Sequence, residues 1–509
     1  MKRQIFSLLL TLLLLAGLTG CQNEAPGEIL DSGSDSSAPV TEEATVTKEE
    51  TSGPEPVEGA VSFTADPADS YQTIDGFGAG FTWYAEYAFK AVHSDEILAA
   101  LFDDAKLSIL RFKNEYGYSG FENSAETNLK FYEYAENAAK SRGEDVKVLY
   151  TSWSPTADLK SNNNINGGGS LKRDTDGNFS YSDFAEWWTE SVRAYREKGI
   201  PVDYVSIQNE CDFEASYDGC EFKSSESGDY ASYSKAFLAT YDAFTEAFGN
   251  DTPLMIGPET MSVDSGTLKA YLQEIVETNE SSLYAVAHHL YLGGTSTDEP
   301  NYCDYDSYLM NFIENATYCS DHGYKAWQTE FYRGTAIETA NVINNSLVYE
   351  NASAYIYWGG IWKSDSSDSI YSNDMIPVGI AIQDWAGPNG YVLTGDYYAM
   401  RHFSEYIRPD YVRIGTQHEG GLTLRTSAYL NPDGTRMVLV LINNGEEPVT
   451  VQLTDLGFEV TGSLAIQSVF KDDYTEEDLY QSLGELDSTL TVTLPSDAVT
   501  TVVLDGNVR

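Results

Sequence analysis

Between Gly76 and Trp358 the chain repeats one pattern eight times: a short apolar run, then a longer polar or amphipathic stretch. The runs are Gly76–Phe81, Leu107–Phe112, Val148–Ser152, Tyr204–Gln208, Leu254–Gly257, Ala285–Leu290, Ala326–Thr329 and Ala354–Trp358. Such short apolar runs read as strands alternating with longer segments. Several intervening stretches carry helical periodicity: Tyr181–Lys198, Tyr230–Phe248 and Leu268–Glu277. Eight β/α alternations in roughly 330 residues predict a closed (β/α)8 TIM barrel with decorated loops, spanning residues 76–407.

Beyond about Arg408 the pattern changes. Val412–Ile414, Leu422–Ala428, Met437–Asn443, Val449–Leu453, Leu464–Phe470, Thr489–Leu494 and Thr500–Leu504 read as strands, separated by turns such as Asn431-Pro432-Asp433-Gly434. Residues 408–509 are expected to form an all-β sandwich at the side of the barrel.

The amino terminus is neither. Lys2 and Arg3 precede the apolar run Leu8–Leu15, which is too short to span a bilayer and reads as an export signal over residues 1–20. Leu18-Thr19-Gly20-Cys21 resembles a bacterial lipobox. That resemblance implies cleavage before Cys21, lipid attachment there, and residence on the extracellular face of a bacterial membrane. Residues 21–59 are rich in Ser, Thr, Glu, Pro and Gly and read as a disordered acidic tether.

The 30 basic and 79 acidic residues leave a net charge of −49, which repels nucleic acid and anionic headgroups. The expected partner is a neutral or weakly charged polymer, with membrane contact only through the lipid. Nothing marks an oligomer interface, so a monomer is expected. The 36 tyrosines fit a surface that stacks on sugars, although β-structure favours aromatics in any case. Cys211, Cys220, Cys303 and Cys319 could form disulfides outside the cell, most simply Cys211–Cys220 and Cys303–Cys319, or remain buried thiols. No cysteine/histidine cluster has zinc-ligand spacing, so neither a catalytic metal nor a cofactor is expected.

Chemistry on a TIM barrel collects where the strands end. The fourth run leads into Asn209-Glu210 and the seventh into Glu330, so two glutamates are expected across one barrel mouth. Retaining hydrolysis of a glycoside needs such a pair, one as acid/base and one as nucleophile, about 5–5.5 Å apart. Asn209 beside the first glutamate suits a hydrogen bond to the sugar 2-hydroxyl. Glu210 is therefore read as acid/base and Glu330 as nucleophile. Among 79 acidic residues a single glutamate is ordinarily a solvated surface group; strand-end placement and flanking aromatics distinguish these two.

Six ordered motifs resemble glycoside hydrolase family 30. They are Ile74–Thr82; Ser152-Trp153-Ser154-Pro155 with Lys160, Asn162 and Gly168–Leu171; Ser206–Glu210 with Asp212-Phe213 and Tyr217–Cys220; His289-Leu290-Tyr291; Thr329-Glu330-Phe331-Tyr332; and Tyr397–Ser404 with Ile407-Arg408-Pro409. The resemblance runs from Tyr71 to about Arg413. It implies a clan A retaining β-glycosidase whose N-terminal strand, within residues 60–75, joins the sandwich. Arg111, ending the second strand, could orient the nucleophile and keep it ionised. His289 and Tyr291 could hydrogen-bond the nucleophile or the sugar. Trp153 and Trp358 are expected as stacking walls, with Trp83, Tyr116, Tyr217, Tyr332 and Trp362 further out. For Arg111, His289 and Trp358 the competing reading is purely structural.

The second-strand, Asn162–Gly169 and His289–Tyr291 segments resemble the xylanase branch more than the glucosylceramidase branch. The loop Trp362–Ser369 has no arginine and two aspartates, Asp365 and Asp368, where the glucuronoxylan-specific enzymes carry an arginine-rich loop. Cleavage of β-1,4-xylan without glucuronate dependence is the expectation. The alternatives are a β-1,6-glucanase or exo-acting β-glycosidase of the same family, and an inactive carbohydrate-binding surface lipoprotein.

Overall fold

The computed structural model describes residues 54–292, 306–332, 334–364, 379–384 and 390–509. The export signal, Cys21, the tether up to residue 53, Cys303 and the aspartates of the 365–369 loop lie outside the described residues. No described helix is long and apolar enough to cross a membrane.

Eight parallel strands close into a barrel in chain order. They are Gly76–Gly80, Ile109–Lys113, Lys147–Thr151, Tyr204–Ser206, Leu254–Ser262, Ala285–Leu292, Lys325–Glu330 and Ala352–Tyr357. Each falls on one of the eight apolar runs. The interior is plugged by Ile109, Leu149, Tyr204, Ile256, Ala285, Ala287, Trp327, Ala354 and Ile356, and the larger cluster fills the space between strands and helices. Burial on both faces explains why these strands read as continuous apolar runs rather than alternating ones. The first strand is glycine-rich because its neighbours leave no room for a side chain. A Cβ on Gly78 would lie 2.3 Å from the Ile109 carbonyl, and one on Gly80 2.2 Å from that of Trp358.

Helix boundaries follow their caps rather than the apolar pattern. Ser232 accepts a hydrogen bond from the Lys235 amide, so that helix starts at Tyr233, not Tyr230. Asp264 accepts from the Thr267 amide at 2.8 Å and starts the next helix at Ser265, ahead of the expected Leu268.

The β-sandwich domain is one hydrogen-bonded run of nine strands around a core that includes Phe63, Ile414, Leu439, Leu453 and Val502. Val61–Thr73 lies inside it, antiparallel to Val412–His418 and parallel to Val449–Asp455. A short strand at Gln481–Gly484 was not expected; Gln481, Ser482 and Leu483 are exposed and carry no apolar alternation. The last barrel helix, Gly395–Ser404, meets the sandwich through His402, which bonds to Ser468 and Thr501. Cys211, Cys220 and Cys319 are free and buried, so the Cys211–Cys220 pair does not form; burial pushes both thiols up and out of reactive range.

Candidate active site

Asn209 and Glu210 follow the fourth strand and are held by neighbours on both sides. The Asn209 amide donates to the Ser152 carbonyl at 2.7 Å, and Gln208 Nε2 donates to the Trp153 carbonyl at 2.7 Å. Glu210 has a left-handed backbone, φ +46°. Its amide donates to the carbonyl of Glu259 at 2.9 Å, and Glu259 is itself left-handed, φ +53°. Two non-glycine residues in that region cost roughly 1–3 kcal/mol each and persist only where surroundings over-determine them. Glu330 ends the seventh strand in register with His289 on the sixth.

The two glutamates meet. One carboxylate oxygen of each, with a ring nitrogen of His289, all lie within 4.8 Å of one another. Arg111 Nη1 donates to Glu330 Oε2 at 2.6 Å, and Nη2 donates to Asn209 Oδ1 at 2.7 Å. Tyr291 donates to Glu330 Oε1 at 3.0 Å, and Tyr217 donates to Glu210 Oε2 at 3.3 Å. His289 Nδ1 lies 3.2 Å from Glu210 Oε1 and 3.9 Å from Glu330 Oε1. Glu210 and Glu330 keep 5% exposure each, while Arg111 and His289 have none.

A third carboxylate lies beneath them. Glu259, on the fifth strand and fully buried, has Oε1 3.3 Å from Arg111 Nε and 3.9 Å from His289 Nε2. Arg111 Nη2 also reaches its Oε2 at 3.3 Å. Sequence reasoning missed this residue. The fifth strand was expected to end at Gly257, yet it continues to Ser262.

These contacts set the charges. Burial pushes His289 down, but Glu330, Glu210 and Glu259 outweigh it and hold the imidazole up at about 9. Burial pushes Glu259 up, but Arg111 and His289 hold it down at about 2. Burial, with Glu210 adding to it, raises Glu330 above the usual carboxylate range against the pull of His289 and Arg111. Arg111 thus acts in the expected direction on Glu330 without prevailing. Burial and the carboxylates keep Tyr217 and Tyr291 phenolic, so both remain donors. Three carboxyls face two cations, and a single proton on the Glu210–Glu330 pair makes the cluster neutral. Glu210, His289 and Glu330 could enclose a small cation only at the expense of the imidazolium proton. Arg111 and His289 already supply the positive charge.

The aromatic residues divide. Trp153 is 2% exposed and its ring carries Arg111, with Cζ 4.7 Å from the centroid, so this face supports the guanidinium rather than lying open to a sugar. Trp358 is buried and packs 6.0 Å from Trp153. Half-buried Trp83 touches Trp153, Trp358 and Tyr217 at ring distances of 5.5–5.9 Å. Tyr332 stands edge-on to Tyr291 at 5.9 Å, and Trp362 lies 6.2 Å from Trp358. Tyr116 packs edge-on against Phe121, with ring centroids 5.4 Å apart. A neighbouring cavity of about 680 Å³, lined by Trp83, Tyr84, Lys113 and Asn123 among others, does not reach either glutamate.

Residues 412–502 match the model of the glycosyl hydrolase family 30 beta sandwich domain. The catalytic domain of a family 30 xylanase C from Talaromyces cellulolyticus superposes with a TM-score of 0.66 at 20% identity, over 87% of this chain and 99% of its own. The chain has the glycoside hydrolase family 30 fold. Curated relatives match over most of the chain. A candidate glucosylceramidase of Caenorhabditis elegans is 25% identical over 439 residues, 77% of this chain and 79% of its own. An endo-1,6-β-D-glucanase of Aspergillus fumigatus is 22% identical over 443 residues, 78% of this chain and 84% of its own.

Proposed function

We propose that the chain is a retaining glycoside hydrolase acting on β-linked polysaccharide, with Glu330 as nucleophile and Glu210 as acid/base. The observation that carries this reading is the convergence of the two carboxylates to within 4.8 Å, above a buried Arg111 and His289. Such close approach supports double displacement, in which the two carboxyl groups stand about 5–5.5 Å apart, rather than the wider separation of inverting enzymes. In this reading Glu330 reacts as the anion, which the 2.6 Å guanidinium bond favours, and Glu210 is the proton donor.

In the first step a Glu330 oxygen bonds to the anomeric carbon. The bond to the leaving oxygen breaks, and that oxygen takes the Glu210 proton. In the second step Glu210 takes a proton from water, whose oxygen displaces Glu330 from the same carbon. Asn209 accepts from Arg111 through Oδ1, so its Nδ2 is the donor available to the 2-hydroxyl. A mechanism-based fluoro-sugar should label Glu330, and the adduct maps by mass spectrometry; labelling at another residue removes the assignment. Activity of Glu210→Ala on activated substrates should recover with azide.

For the substrate we propose β-1,4-xylan without glucuronate dependence. It rests on the arginine-free Trp362–Ser369 segment and is supported by likeness to a family 30 xylanase. A second reading, β-1,6-glucan cleavage or action from a chain end, has its own observation. An ion pair joins Lys113 to Asp218 and a ring contact joins Trp83 to Tyr217, tying the ends of the first, second and fourth strands together over the mouth. Product profiles on linear arabinoxylan, glucuronoxylan and β-1,6-glucan separate these readings. The segment ending in Cys21 supports export and lipid attachment, and Cys21→Ser should release the protein from the membrane fraction.

A further inference from the structure

We propose that Glu259 is a positioning residue: its carboxylate anchors both Arg111 and His289 beneath the catalytic glutamates and supplies the third negative charge that a proton on the Glu210–Glu330 pair requires. This rests on the glycosidase reading above and names a residue outside the substrate's reach.

Geometry makes the case. Arg111 Nε, His289 Nε2 and Glu259 Oε1 are all buried, and none makes a well-directed hydrogen bond. They face one another instead: Oε1 lies 3.3 Å from Nε and 3.9 Å from Nε2. One oxygen therefore serves two cations, and each cation turns its other side to a catalytic carboxylate. Arg111 reaches Glu330 at 2.6 Å, and His289 Nδ1 reaches Glu210 at 3.2 Å. The same residue supports Glu210 through the main chain, since its carbonyl accepts the Glu210 amide.

Around Glu259 the other groups are neutral. Besides Arg111 from the second strand and His289 from the sixth, the Ser206 hydroxyl, the Cys211 thiol and the Tyr233 phenol lie near it. Burial keeps that thiol and that phenol un-ionised. His289 is faced by Glu210, Glu259 and Glu330, and Asp212 interacts with it through its charge alone. Taking away the Glu259 charge leaves two carboxyls against two cations. The cluster is then neutral with no proton on the catalytic pair, and the acid that must protonate the leaving group is lost at working pH. A fully buried carboxylate between two cations has no solvent to replace it.

The test compares Glu259→Gln and Glu259→Asp with the unaltered full chain on two β-glycosides. One has a poor leaving group that needs protonation; the other has a dinitrophenolate leaving group that does not. For Glu259→Gln the loss of kcat on the poor leaving group should exceed that on the dinitrophenyl glycoside at least tenfold, with KM within about threefold of its starting value. The alkaline limb of its kcat/KM profile should move toward acid by a pH unit or more. Glu259→Asp, which keeps the charge, should restore the limb. Equal losses on both substrates with an unmoved limb overturn the proposal. Selective 15N-histidine labelling of the unaltered protein gives a readout independent of turnover: His289 should be an imidazolium at pH 8. A neutral ring there overturns the proposal even if the variants fail to fold. Absence of turnover and of fluoro-sugar labelling in the unaltered protein is a different result, which removes the glycosidase reading itself.

Discussion

Among the described residues three histidines are fully buried, and two of them, His402 and His289, are pushed in opposite directions by their surroundings. His402 sits at the seam between the last barrel helix and the sandwich, its ring nitrogens 2.9 Å from Thr501 Oγ1 and 2.8 Å from Ser468 Oγ. Burial, with Arg401 nearby, pushes it down to about 3, so it is neutral. His289 sits at the barrel mouth among three carboxyls that hold it up at about 9. Burial is the same; the partners differ. The seam joins two layers with neutral hydrogen bonds, which cost little to dehydrate once paired. The mouth concentrates charge, which is tolerable only because every charge has a counter-charge.

The largest expected effect breaks the charged half of this comparison. His289→Leu leaves Glu210, Glu259 and Glu330 against Arg111 alone. Removing one partner of a buried ionic cluster typically costs about 3–5 kcal/mol. We expect a loss of that order in urea unfolding at pH 7, and a fall in kcat/KM of about 100-fold or more, comparable to losing one preorganised electrostatic donor. A change below about 1 kcal/mol would mean that the imidazole carries no charge in the folded protein.

The pH dependence sharpens the contrast, because the two rings act on opposite limbs. The His289 value is raised on folding, so its stabilisation is fully present below the unfolded value of about 6.5 and is lost as pH rises through about 9. The His402 value is lowered, so the unfolded chain binds the extra proton. Its stabilisation is present above about 6.5 and is lost as pH falls toward about 3. Unfolding free energies across pH should show His289→Leu flattening the alkaline limb and His402→Leu flattening the acid limb. If both variants flatten the same limb, the two sites do not differ in charge.

Much of this arrangement was legible in the chain itself. Strands covered on both faces are continuous apolar runs, which is why all eight barrel strands could be placed, and Glu210 and Glu330 follow two of them. The partners were harder to see. Arg111 and Trp153 stack although 42 positions apart, and no periodicity links them. Glu259 was hidden by local chemistry: Gly257-Pro258 signals the end of a strand, and only barrel closure carries the backbone past it. Trp153 was legible as an aromatic at a strand end, but not as the platform that Arg111 occupies. Two helix starts were displaced by three residues because a single capping side chain outweighs the apolar pattern.

The smallest effect tests the neutral half. His402→Leu keeps the volume of the ring nearly filled and removes both nitrogens. Ser468 Oγ loses one partner but still accepts from the Tyr480 amide at 2.8 Å, and Thr501 Oγ1 still donates to the His402 carbonyl at 2.7 Å. Neither hydroxyl is left wholly unpaired, so the cost should sit near the low end of the range for a lost buried hydrogen bond, about 1–2 kcal/mol at pH 7. The seam is remote from the mouth in its contacts, so kcat and its pH profile should be unchanged. A loss as large as that of His289→Leu, or a shifted activity profile, would mean that the seam and the mouth are coupled through the barrel and that the division between a neutral joint and a charged site does not hold.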